Sequence, residues 1–164
     1  MEPEYLLHEI EPVFNVHSKV LLLGSFPSPK SREAGFFYGH RRNRFWPVLA
    51  ELLGSTLPQT NEEKKQLLLV HGIALWDVLA SCVITGADDS SIRKPVANDL
   101  SRILDHAAIT AVFTTGMKAA AFYKTYCLPK TGIQAISLPS TSPANCRMPY
   151  VQLKQAYAQI LQYL

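Results

Sequence analysis

Short unbroken apolar runs alternate with amphipathic ones along this chain. Val20–Leu23, Ile73–Trp76, the β-branched run Ile109–Thr114 and Ile133–Leu138 each predict a strand. Runs of this length, bounded by turn residues, suit a sheet covered on both faces. Between them the apolar positions take helical spacing. Phe45, Trp46, Val48, Leu49, Leu52 and Leu53 predict a helix entered near Asn43 and stopped at Gly54, with Phe45 and Trp46 in the core. Thr60 with Glu63 three residues on is a capping-box pattern, predicting a second helix that ends at Gly72. Asp77 follows a strand and precedes VLASC, which favours a helix N-cap there over a catalytic role. Thr85–Pro95 reads as a polar loop, Asn98 as the cap of a third helix running to about His106, and Gly116 as the start of a fourth. A terminal helix is expected over roughly Tyr150–Leu164. Residues 1–17 form a lead-in that packs through Leu6, Leu7, Ile10, Val13 and Phe14.

Strand and helix thus alternate four times, which predicts an α/β fold. The expected architecture is a three-layer α/β/α sandwich around a mostly parallel four-stranded sheet, with residues 1–164 as a single domain. Right-handed crossovers bring all the strand C-terminal ends to one edge. The loops after the first and last strands then face each other across a cleft, and both are rich in Pro and Ser.

Composition narrows the class without choosing a function. With 48% hydrophobic and 18% charged residues the chain is ordinary and globular. No run approaches the ~18–20 apolar residues of a membrane helix. The start, MEPEYLLHEIEP, is acidic and lacks the basic-then-apolar shape of a secretory signal. Cys82, Cys127 and Cys146 are odd in number and include no C-x-x-C pair, so reduced thiols and a cytoplasmic location are expected, for a protein that works as a monomer. The net charge of +3 decides little, but Lys30, Arg32, Arg41, Arg42 and Arg44 share one loop with aromatics. That combination suits either a phosphodiester partner or a solvated surface.

The candidate chemistry gathers in the stretch KVLLLGSFPSPKSREAGFFYGHRRNRFWPVL, residues 19–49. A strand tip followed by a long loop and a helix entry is where an open α/β sheet places its ligand. Dinucleotide, P-loop and nucleophile-elbow signatures are absent. The five histidines are scattered without metal-ligand spacing, so neither a metal nor another cofactor is expected.

Three blocks remain: G-S-F-P-x-x-x-S from Gly24, G-x-x-Y-x-H-x-x-N-R-F-W from Gly35, and P-S-T-S-P-A-N from Pro139. Together they resemble the uracil-DNA glycosylase superfamily. The second block is similar to the mismatch-specific uracil/thymine glycosylases. The full set, with LWDVL at 75–79 and DDSSI at 88–92, looks most like the hypoxanthine-DNA glycosylase branch. The resemblance implies a monofunctional glycosylase of base-excision repair acting on DNA that contains a damaged base, with hypoxanthine as the leading substrate and uracil or xanthine as further ones. It implies that Asn43 is catalytic and that Tyr38 stacks on the flipped base. The mismatch-specific enzymes keep a water-activating Asn third in the first motif, and here that place holds Phe26. A non-catalytic nucleic-acid-binding module with the same cleft is therefore the alternative reading.

On this reading Gly24, Ser25 and Phe26 line the base pocket, with the Ser25 and Phe26 backbone N–H groups as donors to a base carbonyl. Ser28, Lys30, Ser31 and Arg41 on the first loop are expected to meet the DNA backbone. So are Ser140, Thr141, Ser142, Asn145 and Arg147 on the last. For Asn43 a helix-capping role stands beside the catalytic one, and both fit the same side chain.

Overall fold

The computed structural model describes residues 1–164. In chain order the elements are β1 (Glu4–Leu7), β2 (Val20–Gly24), α1 (Pro29–Ala34), α2 (Phe45–Leu52), α3 (Asn61–Val70), β3 (Ile73–Asp77), β4 (Leu79–Thr85) and β5 (Asp88–Ala97). The second half carries α4 (Ser101–Leu104), β6 (Ala111–Thr115), α5 (Met117–Phe122), α6 (Leu128–Thr131), β7 (Ala135–Leu138) and α7 (Tyr150–Tyr157). A π-helical turn, Tyr123–Cys127, joins α5 to α6, and a 3-10 segment, Ala158–Tyr163, follows α7.

The apolar runs build a four-stranded parallel sheet in the order β3-β2-β6-β7. Its central strands are covered on both faces, and Val20 through Leu23 are 0% exposed. Burying each such side chain contributes roughly 1.5–3 kcal/mol, so this sheet anchors the fold. Helix α3 shows the predicted capping box. The Thr60 hydroxyl accepts from Glu63 N at 3.1 Å, and the Glu63 carboxylate accepts from Thr60 N at 3.3 Å. Gly72 lies just beyond the helix at φ +74°, where a residue with a Cβ would be strained.

A second sheet was not foreshadowed by the sequence pattern. Strands β1, β4 and β5 pair antiparallel in that order. This corrects three expectations. Asp77 caps no helix, because VLASC continues as β4, pairing Leu7 with Ser81 and Glu4 with Ile84. The chain bends at Val78, whose N–H donates to Gly24 O at 2.7 Å, and passes from one sheet directly into the other. Most of the expected loop Thr85–Pro95 is β5, turning at Gly86 with φ +62°. Pro95 is tolerated there because β5 is an edge strand. Asn98 does not cap a helix either. Its amide donates to the carbonyls of Asp77 and Leu79 at 2.9 and 3.1 Å, pinning the bend. The helical turn α4 begins only at Ser101, whose N–H is taken by the Asp99 carboxylate at 3.1 Å.

The last strand and helix keep their predicted places with shifted ends. Strands β6 and β7 start at Ala111 and Ala135, and the final turns after Tyr157 are 3-10 rather than α. The loops after β2 and β7 meet at the carboxyl edge of the parallel sheet. Arg44 ties them: its N–H donates to Thr141 O at 3.1 Å, and its guanidinium donates to Met148 O at 2.7 Å and Asn145 O at 2.9 Å.

Candidate active site

A cavity of about 720 Å³ opens at that edge, within the usual size range of ligand pockets. Its walls come from the β2 loop, the tip of β3, the start of β5, the end of β6 and the β7 loop. Gly24, Ser25 and Phe26 line it, as do Tyr38 and Asn43. So do Ser28, Lys30 and Ser31 on one side, and Ser140, Thr141 and Ser142 on the other. Arg41, Asn145 and Arg147 lie outside it: Arg41 and Arg147 are exposed, while the Asn145 amide donates to Ser140 O at 2.9 Å and closes the last loop.

Tyr38 is built into the wall with unusual backbone geometry. It sits at φ +53°, a left-handed conformation that costs roughly 1–2 kcal/mol for a residue with a Cβ. Two contacts hold it. Its ring stacks on Phe45 with centroids 4.0 Å apart and planes 16° from parallel, and its hydroxyl is 2.8 Å from Thr115 Oγ1. Burial, reinforced by the nearby Asp77 carboxylate and Tyr157, pushes the phenol well above its ordinary range, so it stays neutral.

Asn43 sits one residue before the first residue flanking α2, and its Oδ1 accepts from Phe45 N at 2.9 Å. Arg44 holds the N-cap position, so this bond is an Asx turn at the helix entry rather than a cap, and it fixes which end of the amide is oxygen. The Nδ2 donor remains for a ligand.

Several expected phosphate donors are occupied within the protein. Ser31 is 3% exposed and its hydroxyl accepts from Gly39 N at 3.0 Å. Ser28 caps α1, accepting from Ser31 N at 3.2 Å. Thr141 is 1% exposed, and its hydroxyl is buried with no hydrogen-bond partner. Arg32 donates to Pro27 O at 3.2 Å, and Arg44 bridges the loops, so neither is a free surface cation. Phe26 is 7% exposed and meets the His8 ring edge-on at 6.0 Å.

The pocket also holds acidic groups beyond the expected site residues. Asp77, at the end of β3, pairs in register with Gly24. Its Oδ2 accepts from His8 Nε2 at 2.8 Å, and the two side chains are only 6% and 1% exposed. Its other oxygen, Oδ1, lies beneath Gly24, where any Cβ would run into it. Gly24 is thus required for a close approach. Asp89, at the start of β5, accepts from the Ser25 hydroxyl at 3.1 Å. The residue is exposed, yet protein atoms crowd its carboxyl, and that burial pushes it above the usual carboxylate range. A signal for Asp77 was present: it ends an apolar strand, as Gly24 does. His8 and Asp89 arrive through the second sheet, which the pattern did not show.

A family model for the uracil DNA glycosylase superfamily matches residues 11–164. The chain belongs to the uracil DNA glycosylase superfamily. Hence it is a DNA N-glycosylase, a hydrolase. The hypoxanthine DNA glycosylase of Methanosarcina acetivorans is 32% identical over 137 residues, which is 82% of this chain and 85% of the relative. That of Methanosarcina barkeri is 30% identical over 138 residues, 83% and 86% of the two chains. The solution NMR structure of a candidate uracil DNA glycosylase from Methanosarcina acetivorans superposes with a TM-score of 0.77 at 27% identity. The match covers 93% of this chain and 96% of that one. The superfamily's fold and the parallel four-stranded sheet therefore agree. No helix is long and apolar enough to cross a membrane.

Proposed function

We propose that this glycosylase removes deaminated bases from DNA, hypoxanthine first among them, by hydrolysis without strand cleavage. The observation that carries the reading is the Asp77 carboxylate at the floor of the pocket, held by His8 and approached through Gly24. Deamination replaces an amino group by a carbonyl and puts a proton on the neighbouring ring nitrogen. Hypoxanthine and xanthine then offer N1–H, and uracil offers N3–H, where adenine and cytosine offer a lone pair. A carboxylate oxygen accepts from such an N–H and repels the lone pair, which favours the lesion over its parent base. Guanine and thymine carry the same N–H, so their exclusion falls to the shape of the walls.

A base inside a duplex is out of reach, so the nucleotide must turn out into the cavity. Tyr38, braced by Phe45, offers a stacking face there; such stacking contributes roughly 1–3 kcal/mol per base. As the glycosidic bond breaks, negative charge grows on the departing base. On this reading the Asn43 amide N–H and the backbone N–H groups of Ser25 and Phe26, which line the cavity, donate to it. Lys30 at the pocket wall, with exposed Arg41 and Arg147 outside it, would take the phosphates on either side. The lysine that lines the cavity, Lys30, is 61% exposed and lies 3.5 Å from Glu33, a solvated amine unsuited to a Schiff base, which supports a monofunctional reaction.

The test is a panel of oligonucleotides, each carrying one hypoxanthine, uracil, xanthine or adenine, scored for the free base. Release of hypoxanthine ahead of the others, with adenine untouched, is expected. DNA binding with no base released would favour the non-catalytic module instead.

A further inference from the structure

The cavity contains a carboxylate whose position suits the water rather than the base. Hydrolysis of an N-glycosidic bond needs a group that holds a water against C1′ and takes its proton. An Asn amide cannot accept a proton near neutral pH, and Asn43 has already given its oxygen to Phe45 N at 2.9 Å. Phe26, third in the first motif, has no polar atom. Of the pocket's carboxylates, Asp77 is engaged by His8 at 2.8 Å and buried at the floor. Asp88 accepts from the hydroxyl and N–H of Ser90 at 2.6 and 2.9 Å, which turns it along its own strand. Asp89 remains. It lines the cavity, and the one side chain that bonds it is Ser25, the residue directly after the β2 tip. That hydrogen bond at 3.1 Å holds the carboxylate over the same strand end that forms the base pocket.

We propose that Asp89 is a catalytic residue: it orients the attacking water and accepts its proton, while Asn43 acts only as a donor. The inference rests on the glycosylase reading above. In the step, the C1′–N bond breaks and its electron pair leaves with the base. The water oxygen bonds to C1′, one water proton passes to Asp89 and on to solvent, and the base takes up a proton from solvent. The products are the free base and an abasic sugar bearing a hydroxyl.

The reaction then needs Asp89 ionised. The groups facing its carboxyl are Ser25 from the β2 loop, Asp77 from β3, Cys82 from β4, Asp88 beside it and Lys118 from α5. Burial raises the carboxyl most, the Ser25 bond opposes it, and Asp77 and Asp88 add to the rise while Lys118 lowers it. The ionised form is therefore lost as pH falls through a value above the ordinary carboxylate range. The acid limb of base release should lie correspondingly high.

Single-turnover release from hypoxanthine, uracil and xanthine oligonucleotides, measured against pH, tests this with wild type and Asp89→Asn. Binding is measured in parallel on a 2′-fluoro deoxyinosine oligonucleotide, which resists glycosidic cleavage. The expected result is a loss of roughly 10²–10⁴-fold in rate, the range for a positioned general base. The acid limb should vanish, and affinity and thermal unfolding should stay at wild-type values. Asp89→Asn within threefold of wild type with the same pH profile overturns the inference and leaves the glycosylase reading standing. An equal loss in binding and rate also overturns it, since Asp89 would then serve affinity. A wild type that releases none of the bases overturns both.

Discussion

Replacing His8 by Ala tests whether the pocket floor is held from the second sheet. His8 lies just past β1, and its ring is 1% exposed against Asp77 at 6%. The ring also lies 6.0 Å from Phe26 and 6.2 Å from both Phe37 and Trp76. Truncation removes the donor to a buried carboxylate and leaves a small void. Breaking a buried pair by deleting one partner costs about 3–5 kcal/mol. For a chain of this length each kcal/mol lowers the melting temperature by roughly 2–4 °C, so a fall of about 6–20 °C is expected. The assay is thermal and urea unfolding of His8→Ala, Asp77→Asn and the double variant. Because the harm comes from an unpaired carboxylate, Asp77→Asn in the His8→Ala background should recover about 2 kcal/mol or more. Additive single effects, or a His8→Ala cost under about 1 kcal/mol, would refute the pairing as the device that holds the floor.

Three further outcomes follow from the geometry. Asn43→Ser keeps a side-chain oxygen for the Phe45 N–H and removes the amide donor, so stability should stay within about 0.5 kcal/mol of wild type while base release falls by about 10²–10³-fold; Asn43→Ala should show the same rate loss plus about 1 kcal/mol from the lost hydrogen bond, read by urea unfolding. Gly24→Ala puts a Cβ against Asp77 Oδ1 and within 3.2 Å of the Tyr38 hydroxyl; it should cost about 1–3 kcal/mol and abolish release, and a fully active variant would show that Asp77 does not lie where the base binds. Cys82 and Cys127 are buried, and burial raises both thiols, Cys127 to about 11, whereas Cys146 is exposed; a thiol reagent at neutral pH should label Cys146 quickly and the other two only on unfolding.

The parallel sheet was legible because its strands are short apolar runs, and the capping box at Thr60 and Glu63 announced α3 directly. The antiparallel sheet was not. Leu79–Thr85 is a half-buried strand whose neighbour β1 is far away in sequence, so local spacing had no means of separating it from a helix. Asp77 is hidden for the same reason. A carboxylate after a strand looks like a cap unless the next element is known to be a strand. The three site-bearing blocks placed Gly24, Phe26, Tyr38 and Asn43 around one cavity, because strand-tip loops must converge at the sheet's carboxyl edge. Their partners were hidden. Nothing in the sequence tells that Arg44 and Ser31 bond inward while Arg41 stays at the surface.

The most direct measurement uses a labelled duplex with one deoxyinosine, incubated with the protein and split into samples with and without hot alkali. Hypoxanthine release with strand breakage only after alkali is the predicted result, and adenine at the same position should leave the strand whole. An intact strand after alkali, with no free hypoxanthine from a folded protein that binds the duplex, would contradict the proposed activity.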